Sequence, residues 1–279
     1  EKNLPIFLFL LSPFKSCAVK CHCKRGGYAL ISYVFKRYEL KYLLTQEQYL
    51  KVRDEIEKRL SPDVFWKTVI QSLYYDTADD RLVRASAEKP VFKEKLRLRA
   101  YGLSDGEKDV YIEMKRKYDG VVYKRRVACK EDEAADIFSG KCPDSQIGKE
   151  LEYFIRFYGK LSPRMLILYD REAFTDKNSD LRVTFDKNVR YRTTELNLHT
   201  SLDGKALLQD GTVLMELKSG TAFPLWLCEM LCREDIKKQS FSKYGAAYAR
   251  EHAKTSKSIL SGSEILCLNP FSVTETSLL

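Results

Sequence analysis

The chain has 279 residues, of which 44% are hydrophobic and 31% charged. That is the balance of a soluble globular protein with one large domain or two small ones, and it excludes a low-complexity or disordered chain. The formal net charge of +9 points to a polyanionic partner such as nucleic acid, phospholipid, nucleotide or another phosphate-rich ligand, although solubility alone also accounts for such a surplus.

Leu4–Leu11 is apolar and follows Lys2, a faint likeness to a signal peptide that is too short to span a bilayer. Residues 12–32 carry neither helical nor strand periodicity. Residues 1–33 are therefore expected to be a poorly ordered leader or upstream extension. From Phe35 the pattern becomes regular. Arg37–Leu44 reads as a strand, and Thr45 with Gln48 forms a capping box for a helix over Gln46–Leu60, with Tyr49, Val52, Ile56 and Leu60 on one stripe. Val69–Asp76 is a second strand. After a polar turn region comes Phe92–Tyr101, then the hairpin Val110–Lys117 and Val121–Ala128, turned by Asp119-Gly120. Helices follow over Glu131–Ser139 and Ser145–Lys160. Arg164–Phe174, Leu181–Asn188 and Thr212–Lys218 read as strands, and Pro224–Arg233 and Gly245–Ala253 as helices. The Ser/Thr-rich residues 255–279 are expected to form a flexible tail. The ordered domain is thus placed at 34–254.

Eight cysteines are scattered without a paired framework. Cys129, Cys142, Cys228, Cys232 and Cys267 read as reduced thiols of a cytoplasmic protein. Cys17, Cys21, His22 and Cys23 lie closer together, but a zinc site needs a second ligand pair at suitable spacing, and none follows.

The chemistry lies on the strands. In F-K-E-K-L-R-L-R-A-Y, Arg97 and Arg99 are two residues apart, with Leu96, Leu98 and Ala100 on the alternate positions. On a strand, both guanidiniums face one way and the apolar side chains the other. The pattern recurs around Glu39 and Lys41, Glu113 and Lys115, Lys124 and Arg126, Arg182 to Asp186, and Glu216 and Lys218. The fold class expected is α+β, an antiparallel eight-stranded β-barrel tunnel with a charged interior and helices packed outside. Its inner face collects Arg37, Lys41, Arg97, Arg99, Lys115, Lys124, Arg126, Arg171, Arg182 and Lys218, against Glu39, Glu113, Glu216 and Asp186. Like charges so close repel by on the order of 1 kcal/mol per pair even at high effective dielectric. Such an interior requires water or a strongly anionic filling, and a chain of phosphates clamped by arginines fits. The carboxylates suit a divalent cation, Glu216 first and Glu39 and Glu113 next. Each also reads as the ion-pair partner of a neighbouring base. Tyr75 and Tyr169 are placed beside the basic rows, lining the tunnel or half-buried in the strands. Lys243, just before a helix, could close one mouth.

In this order, Arg37-x-Glu39-x-Lys41-Tyr42, Arg97-Leu98-Arg99, Glu113-Met114-Lys115, Tyr169-x-Arg171, Glu216-Leu217-Lys218 and Ser242-Lys243-Tyr244 resemble the VTC domain. That is the polyphosphate polymerase domain of the triphosphate tunnel metalloenzymes. The resemblance covers Phe35 to Ala253. It implies a manganese- or magnesium-dependent transfer of a nucleotide's terminal phosphate, as from ATP, onto polyphosphate. It also implies Arg97, Arg99, Lys115, Lys124, Arg171, Lys218 and Lys243 as phosphate ligands, joined by Arg37 and Lys41, with Glu216 on the metal. Of these, Arg97, Arg99, Lys115, Arg171 and Lys218 are expected to act in catalysis. The cyclase and triphosphatase branch of the superfamily carries E-x-E-x-K on its first strand, whereas Arg37 occupies the first position here, which favours the polyphosphate branch. Relatives in eukaryotes are tethered to membrane helices; no segment of this sequence is long and apolar enough to span a bilayer, and a membrane partner stays open. Two alternatives stay open on the same tunnel: an inorganic triphosphatase or polyphosphatase, and a non-catalytic sensor of polyphosphate or inositol phosphates. Nucleic-acid binding ranks lower, since the charges lie on strand faces beside carboxylates and not among loop aromatics.

Overall fold

The computed structural model describes residues 38–259 except 89 and 120, with side chains to residue 253. Arg37, the leader, the Cys17–Cys23 cluster and residues 260–279 lie outside these described residues. In chain order the elements are β1 (Tyr38–Leu44), α1 (Gln46–Glu57), β2 (Ser61–Asp76), α2 (Arg81–Ala87), β3 (Phe92–Tyr101), β4 (Val110–Tyr118), β5 (Val121–Cys129), α3 (Glu131–Phe138), α4 (Gln146–Tyr158), β6 (Ser162–Thr175), β7 (Arg182–Arg192), β8 (Lys205–Ala206), β9 (Val213–Ser219), α5 (Leu225–Arg233) and α6 (Lys243–Ile259).

The strands form one antiparallel sheet in the order β1-β9-β7-β6-β2-β3-β4-β5, with the two-residue β8 paired to β7. No ladder joins β1 to β5 among the described residues, so the barrel is not closed by backbone bonds. Side chains nevertheless bridge the gap. Lys115 on β4 lies 3.3 Å from Glu39 on β1. In a flat sheet, six strand steps would hold them about 29 Å apart. The sheet therefore curls almost fully around a lumen.

Period-two alternation sends the apolar residues outward. Tyr42, Leu44, Val183, Phe185, Met215 and Leu217 pack with Val52 and Ile56 of α1 and Leu227 and Met230 of α5. Leu96, Leu98, Ile112, Met114, Leu166 and Leu168 pack with Ala134 of α3 and Leu151 and Phe154 of α4. Thr45 and Gln48 form the predicted capping box of α1 at 3.2 and 3.1 Å.

Among the departures from the sequence expectations are β2, α2 and α6. β2 begins at Ser61, eight residues earlier than the pattern suggests, because its first half lies beyond the end of β3 and pairs with β6 alone. Pro62 is tolerated there because no β3 backbone needs its missing N–H. α2 was hidden because its own N-cap, Asp80, sits at φ +58° and makes no side-chain cap. The cap comes from Asp76, whose buried carboxylate accepts from the Leu82 and Val83 amides at 2.8 and 3.0 Å. α6 begins two residues earlier than expected and continues to Ile259.

A third apolar cluster lies on the inner face. Ile70 and Tyr74 of β2 and Met165, Ile167 and Tyr169 of β6 pack against Tyr244 and Ala247 of α6. α6 thus plugs part of the barrel, and charged side chains line the remainder.

Candidate functional site

Arg97 and Arg99 share the inner face of β3, and register places Glu113 opposite both Arg97 and Arg126. Arg97 donates through Nε and Nη2 to Glu113 Oε2 at 2.9 and 2.7 Å. Arg126 Nε donates to Oε1 at 2.8 Å, Lys124 Nζ lies 2.8 Å from the same oxygen, and Arg99 Nε is 3.7 Å from Oε2. One carboxylate, 1% exposed, thus sits among four cations. Against burial, which raises it, those cations hold the Glu113 carboxyl far below the usual range.

A second group forms where β1, β9, β7 and β6 face α6. Glu216 Oε2 lies 2.7 Å from Lys218 and 3.6 Å from Arg171, and Oε1 lies 3.3 Å from Lys243 and 3.6 Å from Lys41. Asp186, fully buried, accepts from Arg171 Nε and Nη2 at 2.6 and 2.8 Å and from Lys243 at 2.5 Å. Glu39 lies between Lys41 at 3.4 Å and Lys115 at 3.3 Å. Against burial, Lys115, Lys218 and Lys41 bring the Glu39 carboxyl down to about 2. Glu216 is likewise lowered against burial, by Lys218, Lys243, Lys41 and Arg171.

Lys243 reaches this group because it opens α6. Ser242 caps the helix, its Oγ accepting from the Gly245 amide at 3.2 Å. The positive end of the helix therefore points at the lumen. Lys41 donates to the Phe241 carbonyl at 2.9 Å and Lys95 to Ser242 Oγ at 2.8 Å. Tyrosines support the cations. Tyr74 stacks on Tyr244 at 4.4 Å and accepts from Arg97 at 3.0 Å. Tyr169 accepts from Arg99 at 3.3 Å, with Lys243 4.4 Å above its ring. Tyr75 is different: it faces outward and stacks on Phe138 at 3.8 Å, so its neighbour Tyr74 takes the lumen position.

Lys41, Arg97, Arg99, Lys115, Lys124, Arg126, Arg171, Lys218 and Lys243 are thus brought to one lumen. Arg182 sits at its rim, 42% exposed and 2.7 Å from Asp63. One group, Lys95, was missed, and one, Asp186, was under-weighted. Lys95 lies on the Arg97–Arg99 face, as the same alternation in K-E-K-L-R-L-R implies. Burial pushes its ammonium down to about 8, and Lys115 and Lys41 add to the shift. Asp186, counted in the sequence only as an inner-face charge, proves central, two residues beyond Thr184 on β7.

Among the described residues, no three acidic, cysteine or histidine side chains converge as a ready-made metal cage. Glu113 shares no cation with Glu39 or Glu216 in these ion pairs, so the three predicted carboxylates do not form one centre. Glu39, Glu216 and Asp186, on adjacent strands β1, β9 and β7, do offer hard oxygen donors. One or two carboxylates completed by substrate phosphates is the usual way Mg²⁺ is held, and this donor set fits such an ion.

An antiparallel sheet curled around a cation-lined lumen, with helices packed on its outer face and α6 entering the barrel, defines a triphosphate tunnel fold. Residues 36–252 match the VTC domain, and the chain belongs to that family. Comparison with curated proteins returns no match. Solved structures that resemble it include a Bacillus halodurans protein described as a candidate adenylate cyclase, 12% identical over 76% of this chain and 96% of that one, with a TM-score of 0.48. A Hippeastrum protein described as a candidate adenylyl cyclase with a dominant triphosphatase activity is 15% identical over 76% and 94%, with a TM-score of 0.47. A Pyrococcus horikoshii protein is 13% identical over 75% and 98%, with a TM-score of 0.40. Membership of the family rests on the domain match. Among the described residues no helix is long and apolar enough to cross a membrane.

Proposed function

We propose that this protein is a metal-dependent polyphosphate polymerase that moves the terminal phosphate of a nucleoside triphosphate, ATP in the first instance, onto a polyphosphate chain. The observation that carries the reading is the convergence of cations from separate strands on one lumen, with carboxylates interspersed and not lining it alone. Arg97, Arg99, Lys124 and Arg126 form one set of phosphate ligands around Glu113. Lys41, Arg171, Lys218 and Lys243 form a second around Glu216. Lys115 lies near the open seam and Arg182 at the rim, and Arg37 is assigned to the phosphate ligands from the sequence alone.

A terminal oxygen of polyphosphate attacks the γ-phosphorus of the nucleotide, the bond to the β–γ bridging oxygen breaks, and the nucleoside diphosphate leaves. The rows of bases hold donor and acceptor phosphates in line and offset charge as it develops, so no protein nucleophile is required. Arg97, Arg99, Lys115, Arg171 and Lys218 are the residues assigned to the transferring phosphate. A Mn²⁺ or Mg²⁺ ion, held by Glu216 with Glu39 or Asp186, would supply Lewis-acid charge withdrawal at the phosphoryl oxygens. Free thiols at Cys129, Cys142, Cys228 and Cys232 fit the cytoplasmic setting proposed here.

Incubating the protein with ATP and Mn²⁺ and staining the products on a gel for polymer tests the reading. A ladder of polyphosphate is expected. Orthophosphate release without polymer would make water the acceptor and overturn the polymerase assignment.

A further inference from the structure

Beyond Glu113, toward the β4–β5 turn, the inner face of β3, β4 and β5 changes character. Register sets Lys95 opposite Lys115 and Lys115 opposite Lys124. One row further it sets Lys93 opposite Lys117. Contacts fix the facing of the nearer row. Lys95 donates to Ser242 Oγ at 2.8 Å, Lys124 lies 2.8 Å from Glu113, and Lys115 lies 3.3 Å from Glu39. Lys93 and Lys117 stand two residues from Lys95 and Lys115, so they share that face. Cation directly opposite cation is an unfavourable pairing across a ladder, and here it occupies two successive rows.

The outer face of the same strands is built differently. Glu94 stands opposite Arg116, and Arg116 and Arg125 reach Glu150 of α4 at 3.3 and 3.0 Å. Opposite signs meet outside and like signs meet inside, so the lysine rows are not a general property of this sheet. Along the inner rows the side chains also become more accessible. Arg99 is 8%, Arg97 20% and Lys115 39% exposed, and Lys117 is exposed. The rows therefore lead from the buried arginines out beside the open seam.

We propose that Lys93, Lys95 and Lys117 form a track for the acceptor, holding the length of polyphosphate that extends beyond the arginines around Glu113. From Arg99 to Lys93 the extended strand covers about 20 Å, with a cation on each of four successive rows. A nucleotide brings three phosphates and a base. The last row offers the base no ring, since Lys117 stands opposite Val122, and it suits a polyanion without one. The residue type changes along the same path: Arg99 and Arg97 give way to Lys95 and Lys93 on β3, and Arg126 to Lys124 on β5. An arginine fork fixes one phosphate in one geometry, whereas a lysine is a point charge on a flexible stem and tolerates a chain that advances. This inference rests on the triphosphate reading of the lumen and deepens it: the product leaves past the β4–β5 turn.

The test is calorimetric titration of the full chain, in EDTA to prevent turnover, with long-chain polyphosphate, inorganic tripolyphosphate and ATP. Replacing Lys93→Ala and Lys117→Ala together is expected to weaken the long chain by about 2- to 30-fold, the scale of two exposed charge contacts, while tripolyphosphate and ATP bind as to the parent. Lys93→Arg with Lys117→Arg is expected to keep the long-chain affinity. Lys141→Ala with Lys149→Ala, on the far side at α3 and α4 where both lysines are exposed, is expected to leave it unchanged. Unchanged long-chain affinity in the Lys93/Lys117 variant overturns the track. So does an equal loss for ATP or tripolyphosphate, or an equal loss in the Lys141/Lys149 variant, which would mark general attraction to a basic surface. A parent protein that binds tripolyphosphate but holds the long chain no more tightly overturns the track and leaves the tunnel reading standing. A parent that binds none of the three overturns both.

Discussion

The ammonium of Lys243 and the carboxylate of Asp186 meet at 2.5 Å inside the barrel, where both side chains are almost wholly removed from solvent. Asp186 also holds Arg171 through two hydrogen bonds. Replacing Asp186→Ala leaves two buried cations, Arg171 and Lys243, with only the more distant Glu216 carboxylate, at 3.6 and 3.3 Å. The expected loss of unfolding free energy is about 3–5 kcal/mol, the scale for breaking a buried pair from one side, measured by urea denaturation. Tripolyphosphate should return part of it, because a ligand of the native state stabilises by mass action.

Glu113 is the converse case. It competes with any anion for Arg97, Arg99, Lys124 and Arg126. Glu113→Gln keeps the shape and removes the charge. The variant should unfold at lower urea in phosphate-free buffer, yet bind tripolyphosphate about tenfold more tightly, equivalent to about 1.4 kcal/mol. Calorimetry together with denaturation separates the two effects.

Lys95 gives the lumen a pH dependence. Its ammonium is brought down to about 8, chiefly by burial. Nearby, against burial, the charges of Arg97, Lys95 and Arg99 bring the Tyr74 phenol down to about 8 as well. As pH rises through 8, a positive charge is lost and a negative one gained, so tripolyphosphate affinity should fall. Lys95→Met together with Tyr74→Phe should flatten that step. Folding responds in the opposite sense for the lysine. Its folded value lies below the free value of 10.5, so the unfolded chain binds the extra proton between about 8 and 10.5, and this contribution to stability rises with pH across that window.

Glu216→Gln separates binding from chemistry. Lys41, Arg171, Lys218 and Lys243 remain available to phosphate, while the leading metal donor is gone. Polymer formation with Mn²⁺ should drop by about 100-fold or more, the scale of removing one electrostatic partner of a transition state, and tripolyphosphate should still bind.

Much of this site was legible in the sequence, because strand alternation is a local signal. Arg97 and Arg99, Glu113 and Lys115, and Glu216 and Lys218 each announce a charged face within three residues, and the register then sets Glu113 opposite Arg97 and Arg126. What stayed hidden depends on distant contacts. α2 is capped by Asp76 from another element. Tyr74 and Tyr75 are adjacent and equally aromatic, and only the packing of α6 and of Phe138 decides which faces in. The division of the carboxylates into a Glu113 group and a Glu216 group follows from which strands adjoin, and the spacing within one strand carries no trace of it. The irregularity of β2 between Pro62 and Lys67 was likewise invisible, since it is defined by what β6 omits.

The central claim is that these side chains hold a chain of phosphates inside the barrel. A crystal structure of the protein with tripolyphosphate tests it most directly. The account predicts phosphate oxygens within hydrogen-bonding distance of Arg97, Arg99, Arg171, Lys218 and Lys243. Tripolyphosphate bound only on the outer surface, with the lumen still closed by its own ion pairs, would contradict it.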